Sequence, residues 1–131
     1  MVSIVFTKLL CLLFPIGDEE TAFHRSMWHN NPEVVKLFLA EENLNLNSVC
    51  GYQTALYKAA RKSYYLNSNE SHDWQGRENN LEIIRLLLAD SRGNVNIQDE
   101  NGWTVLYYAM HNSSKEVIKL LASHEEVDPY I

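Results

Sequence analysis

Cysteine is scarce in this chain. Cys11 and Cys50 are the only two among 131 residues, and they stand in unrelated contexts with no paired spacing. That excludes a disulfide framework and a cysteine-based zinc site, and it fits a reducing compartment. Clusters of lysine and arginine are missing as well: eleven basic against seventeen acidic residues give a formal charge of −6. A phosphate-backbone partner is excluded on that ground, because nucleic-acid affinity is built from clustered positive charge. None of the five histidines stands in His-Glu-x-x-His or any other ligand spacing. His24 and His29 are five residues apart, which splays their rings on a helix, and His124 with Glu125, Glu126 and Asp128 reads as a solvated end, so no metal is expected. There is no Gly-x-Ser-x-Gly elbow and no glycine-rich phosphate loop, and Cys50 beside Gly51 has no neighbouring histidine. Catalytic residues, a cofactor and a small-molecule substrate are therefore not expected.

Apolar runs long enough to cross a bilayer, ~20 residues, are also absent. Residues 1–17 come nearest, but Lys8 interrupts them. Leu9 to Phe14 would suit the core of a secretory signal, although Lys8 lies inside the apolar run and no small-x-small cleavage site follows. The spacing of Leu9-Leu10-Cys11-Leu12-Leu13-Phe14 instead matches that of Val34-Val35-Lys36-Leu37-Phe38-Leu39, and Gly17 follows where a helix would stop. The favoured expectation is a retained capping helix on a cytoplasmic protein, with no membrane association. A secreted or translocated effector with an N-terminal export signal is the alternative.

What the chain does have is repetition. Thr21-Ala22-Phe23-His24 recurs as Thr54-Ala55-Leu56-Tyr57 and as Thr104-Val105-Leu106-Tyr107, the first two copies 33 residues apart. Behind each lies a second apolar segment: Val34-Val35 with Leu37-Phe38-Leu39, Ile83-Ile84 with Leu86-Leu87-Leu88, and Val117-Ile118 with Leu120-Leu121. From Thr to the first β-branched residue is 13 positions in the outer units and 29 in the middle one, an excess of 16 residues. A period of this size is the mark of stacked units, each leaving a hydrophobic face that its neighbour covers. A hydrophobic content of 46% supports a folded core.

Each Thr is placed to cap a helix, its hydroxyl accepting a backbone N–H. Ala59-Ala60 and Ala109 supply the small residues that let neighbouring helices approach. Asn30 and Ser113, nine residues after their Thr, mark tight turns, and Pro32 opens the next helix. Asp99-Glu100-Asn101-Gly102 carries an Asn-Gly turn that predicts a projecting finger.

Taken together, these motifs resemble the ankyrin repeat. The opening tetrapeptides stand where that family has Thr-Pro-Leu-His, with Pro lost in all three and His kept only as His24. Gly102-Trp103-Thr104 keeps the family's Gly-x-Thr, Gly51 is displaced by one, and Leu46-Asn47 and Val95-Asn96 match its Val-Asn. The resemblance implies an all-α solenoid of stacked helix-turn-helix units with short β-hairpin or loop fingers. Its units would cover about 18–50, 51–100 with an insertion at 61–80, and 101–131. Thr21, His24, Thr54, Tyr57, Ala59, Ala60, Gly102, Thr104, Tyr107 and Ala109 would be its structural positions. It also implies a non-enzymatic scaffold that binds a partner protein through its concave face and fingers.

Two groups of residues are candidates for that contact. In the insertion, Tyr64, Tyr65 and Trp74 are aromatic residues in a polar stretch, and such residues are enriched at binding hot spots. The competing expectation is that the tyrosines extend the first helix of their unit and pack locally while Trp74 folds back onto the stack. At the fingers, Tyr52, Gln53, Glu100, Asn101 and Trp103 lie at or beside the tips, although Trp103 could equally cover the base of its own turn. Asp99 and Glu100 call for a basic or polar partner at that edge. Leu120 and Leu121, with no unit after them, are expected to leave a bare end, on which the tail Val127, Pro129, Tyr130 and Ile131 could fold.

Overall fold

The computed structural model describes residues 21–68, 73–112 and 115–128. The apolar segment 1–17, the Ser113 turn and the tail residues Pro129, Tyr130 and Ile131 lie outside the described residues.

Six helices follow one another: α1 (Ala22–His29), α2 (Pro32–Leu39), α3 (Ala55–Ser68), α4 (Trp74–Ala89), α5 (Val105–Asn112) and α6 (Lys115–Ala122). The threonines start three of them as the sequence predicts. Thr21 forms a reciprocal capping box with His24, and Thr54 and Thr104 accept the N–H groups of Tyr57 and Tyr107 at 3.3 Å. Asn30 ends α1 in the left-handed conformation at φ 60°, Asn31 caps α2, and Pro32 is the first residue of α2, where its missing N–H leaves nothing unpaired.

The helices form two parallel rows. α1 packs on α3 and α3 on α5, while α2 packs on α4 and α4 on α6, with each pair also in contact internally. One continuous core runs along the row through Phe23, Val35, Phe38, Ala59, Ala60, Ile83, Ile84, Ala109, Val117 and Leu121. Burying each large apolar side chain contributes about 1.5–3 kcal/mol, and no single unit could cover these faces alone. Ala59, Ala60 and Ala109 are fully buried, in keeping with their role as spacers between helices.

The insertion at 61–80 is largely helix, in line with the expectation that Tyr64 and Tyr65 extend the first helix of their unit: α3 has 14 residues and α4 has 16, against 8 in every other described helix. The extra turns are bonded to the stack, because the buried Asn80 Nδ2 donates to Ala59 O at 2.9 Å and Asn30 Nδ2 donates to Gly76 O at 2.8 Å. The bare end differs from expectation. Leu121 faces inward and is fully buried, and the residues left uncovered are Tyr107 and Met110. Met110 is 61% exposed, whereas Ala60 at the equivalent position of the middle unit is covered completely.

The loops behind the second helices are joined by repeated rungs. Asn47 Nδ2 donates to Arg92 O at 3.0 Å and its Oδ1 accepts from Asn94 N at 2.6 Å. Asn96 does the same one unit later, to Glu126 O and from Asp128 N, both at 2.8 Å. Arg92 adds a clamp, donating from Nη1 to Glu41 O at 2.7 Å and from Nη2 to Leu39 O at 2.8 Å, at the end of α2. His124 Nε2 reaches Leu88 O at 3.0 Å in the same manner at the end of α4. The asparagine amide suits this task because it can donate and accept in one plane, so each rung satisfies two backbone groups of the neighbouring unit.

Candidate partner-binding groove

Two finger loops flank the first-helix row, and they are built differently. At residues 50–53 the backbone bonds Cys50 N to Gln53 O (2.9 Å) and Gln53 N to Cys50 O (3.1 Å) close a two-residue loop. Gly51 and Tyr52 both have positive φ, +57° and +63°, which is the type I′ geometry that matches strand twist. Glycine adopts it freely, but an aromatic residue there is strained. Tyr52 is nevertheless 60% exposed at the tip.

The finger at 99–103 is a wider turn. Gly102 N donates to Asp99 O at 3.0 Å, Asp99 N donates to Trp103 O at 2.9 Å, and Gly102 alone takes positive φ, +79°. The Asn-Gly pair thus forms a turn closed by a left-handed glycine, and Asn101 does not join it in the left-handed region. Among the described residues neither finger extends into a strand, and Cys50 with Gln53 forms an isolated antiparallel bridge. Of the two expected forms, hairpin or loop, both fingers take that of a tight loop, because so few residues separate each turn from the helix cap that follows it.

Both fingers are tied to α3. Arg61 Nη1 donates to Gln53 Oε1 at 3.0 Å, and Tyr57 OH donates to Asp99 Oδ2 at 2.5 Å. Asp99 Oδ1 in turn accepts from Asn101 N (2.8 Å) and Trp103 N (2.9 Å), so one carboxylate organises the whole finger. Burial alone would oppose ionisation of Asp99, but the bonds from Tyr57, Trp103 and Asn101 hold its carboxyl below the usual carboxylate range. Burial, reinforced by the hydrogen bond to Asp99, pushes the Tyr57 phenol well above its ordinary value. Tyr57 replaces the histidine that His24 represents in the first unit, where Nε2 donates to Ser48 O at 2.9 Å. Both side chains bind their own unit's neighbouring finger region, by different chemistry.

Between the fingers and α3 lies a cleft of ≈ 420 Å³, bordered by Gln53, Tyr64, Tyr65, Glu100, Asn101 and Trp103 among others. Six of the eight candidate contact residues therefore share one groove, and Tyr52 does not line it but is flanked in the chain by Gly51 and Gln53, which do. The eighth, Trp74, is elsewhere. It begins α4, is 68% exposed, and borders a separate hollow with Ser63, Asn80 and Glu116. The expectation that Trp74 folds back onto the stack is overturned, since the first turn of α4 points it into solvent.

The aromatic rings in the groove are partly held by each other. Tyr64 and Tyr65 meet edge to face at 5.5 Å, and Tyr65 meets Trp28 of α1 at 5.2 Å. Trp103 lies on its own helix, 4.8 Å from Tyr107 and stacked on His111 at 5.3 Å. Sequence reasoning missed the continuation of the groove over α1: a second cleft of ≈ 290 Å³ bordered by Arg25, Trp28, Lys58, Arg61 and Tyr65. Arg25 and Lys58 each stand four positions after their Thr, a register signal that could have placed them on one face.

Residues 75–130 match the family model described as ankyrin repeats (3 copies). These are ankyrin repeats. The matched stretch spans α4 to α6, and α1 to α3 lie before it, with Thr caps and Asn rungs of the same kind. No curated protein and no solved structure matches the chain. Ankyrin repeats are generally protein–protein interaction modules and are typically non-catalytic. Among the described residues no group of acidic, histidine or cysteine side chains could hold a metal ion. No helix among them is long and apolar enough to cross a membrane.

Proposed function

We propose that this chain is a non-enzymatic binding scaffold, with repeat units at about 18–50, 51–100 and 101–131, that grips one partner protein in the groove between its two fingers. The observation that carries this reading is the convergence of Gln53, Tyr64, Tyr65, Glu100, Asn101 and Trp103 on a single cleft, with strained Tyr52 exposed beside it. Tyrosine and tryptophan contribute large contact areas at low entropic cost, and backbone strain at an exposed tip concentrates at sites of contact. The scarcity of cysteine supports a cytoplasmic setting, which cell fractionation tests.

The binding test is affinity capture from native extracts with the full chain, a Tyr65→Ala/Trp103→Ala variant and a Trp74→Ala variant, each checked for helix content by circular dichroism. The parent and Trp74→Ala proteins are expected to retain the same partner and the groove variant to lose it. Retention by a folded groove variant would overturn the proposal.

A further inference from the structure

We infer that the segment received by this groove is an acidic peptide, whose carboxylates lie over α1 and α3; this rests on the groove being the binding site. The chain as a whole carries −6, yet its three first-row helices, α1, α3 and α5, contain no Asp or Glu at all. Four of its eleven basic residues, Arg25, Lys58, Arg61 and Lys62, are on α1 and α3. The acidic residues are segregated to the second-row helices, the loops and the ends.

None of these four cations forms an ion pair among the described residues. Arg61 holds a neutral amide, Gln53, and Lys62 Nζ sits 4.0 Å over the Trp28 ring. Arg25 is exposed, and the other three are half-buried. A patch of unneutralised positive charge on an acidic protein complements negative charge, and complementarity of this kind sets partner choice and orientation. The two clefts share Arg61 and Tyr65, so the positive surface runs unbroken into the finger groove.

The far end of that groove has the opposite sign, because Asp99 and Glu100 border it. A phosphate backbone would meet repulsion there and from the net charge of the chain, whereas a peptide can change sign along its length. The peptide is therefore acidic over Arg25 and Lys58 and carries a cationic or amide side chain where it meets Asp99 and Glu100. Trp28 and Tyr65 supply an apolar floor between the charges, with Lys62 fixing the indole by a cation–π contact.

The experiment titrates the full ¹⁵N-labelled chain with an alternating Glu-Ser decapeptide, its Lys-Ser counterpart and a ten-nucleotide single-stranded thymidine oligonucleotide. The acidic peptide is expected to shift amides of α1 and α3 only, to weaken markedly between about 50 and 200 mM salt, and to lose about tenfold or more in affinity with Arg25→Glu/Lys58→Glu. The milder Arg25→Gln/Lys58→Gln variant should show a smaller loss, guarding against misfolding of the first. Equal binding by the charge-reversed protein, shifts outside these helices, stronger binding of the Lys-Ser peptide, or tighter binding of the oligonucleotide would each overturn the inference. The natural partner separates the two levels. A partner lost by Tyr65→Ala/Trp103→Ala but kept by Arg25→Glu/Lys58→Glu refutes the acidic segment and leaves the groove standing, and one kept by both refutes the groove.

Discussion

Replacing Arg92 with alanine should loosen the joint between the first two helical pairs more than replacing an exposed residue of its size. Its guanidinium donates to Leu39 O at 2.8 Å, a carbonyl in the last turn of α2, and to Glu41 O at 2.7 Å just beyond the helix, while Nε and Nη2 also hold Asp90 at 2.9 and 2.6 Å. Charge-assisted bonds of this kind are worth about 1.5–3 kcal/mol each when buried. The Arg92 side chain is 31% exposed, so water will re-solvate part of what is lost, and the partly exposed ion pair adds less than about 1 kcal/mol. Arg92→Ala is therefore expected to cost about 2–3 kcal/mol, a fall in Tm of about 7–11 °C for a chain of this length. Urea denaturation followed by circular dichroism gives the first number and a thermal melt the second. Asp90→Asn, which keeps both carbonyl bonds, should cost no more than about 1 kcal/mol. An Arg92→Ala loss below about 0.5 kcal/mol, or an Asp90→Asn loss as large as that of Arg92→Ala, would refute the carbonyl clamp.

Two further outcomes follow from the local chemistry. A Cβ at Gly76 would clash with Asp73 Oδ2, in the carboxylate that caps α4 by accepting Gly76 N at 2.9 Å. Gly76→Ala should therefore displace the cap and cost about 1 kcal/mol despite the helix propensity of alanine, with little further loss when Asp73→Ala is added; additive losses in a denaturation cycle would contradict it. Stability should also fall at both ends of the pH scale. Arg92 depresses Asp90, and hydrogen bonds depress Asp99 against the cost of burial, so their contribution is complete above the unfolded carboxylate value of about 4 and lost as pH falls through the folded values. Tyr57 and Tyr108 are raised, chiefly by burial, so theirs is complete below about pH 10 and lost on further alkalinisation. Denaturation midpoints measured across pH should show a plateau between these limits, and a Tyr57→Phe protein should lose less stability at the alkaline end than the parent does.

Much of the fold could be read directly from the chain because its signals are local and repeated. A threonine hydroxyl caps whichever helix it precedes, an asparagine reaches the left-handed region unaided, and alanine marks close helix approach wherever the stack runs. The candidate contact residues were partly legible for the same reason: Gln53, Glu100, Asn101 and Trp103 sit beside turn signals, and turns project. Trp74 was misplaced because an aromatic residue in a polar stretch has no local feature that says which end of the stack it will occupy. The extension of the first helix through Tyr64 and Tyr65 was legible, whereas the long-range bonds that hold the extra turns, Asn80 to Ala59 O and Asn30 to Gly76 O, were not.

The order and caps of the helices, the repeat register and the acidic balance were thus determined by the sequence alone, since each depends on residues within a few positions of one another. Tertiary structure decided which side chains meet. Only stacking sets Arg25 beside Lys58, Tyr57 against Asp99 and Arg92 on the end of α2, for these pairs are 33, 42 and more than 50 residues apart and are joined by packed faces that no local pattern specifies. The charge of the groove arises in the same way: four cations scattered over two helices become one surface when neighbouring units lie side by side.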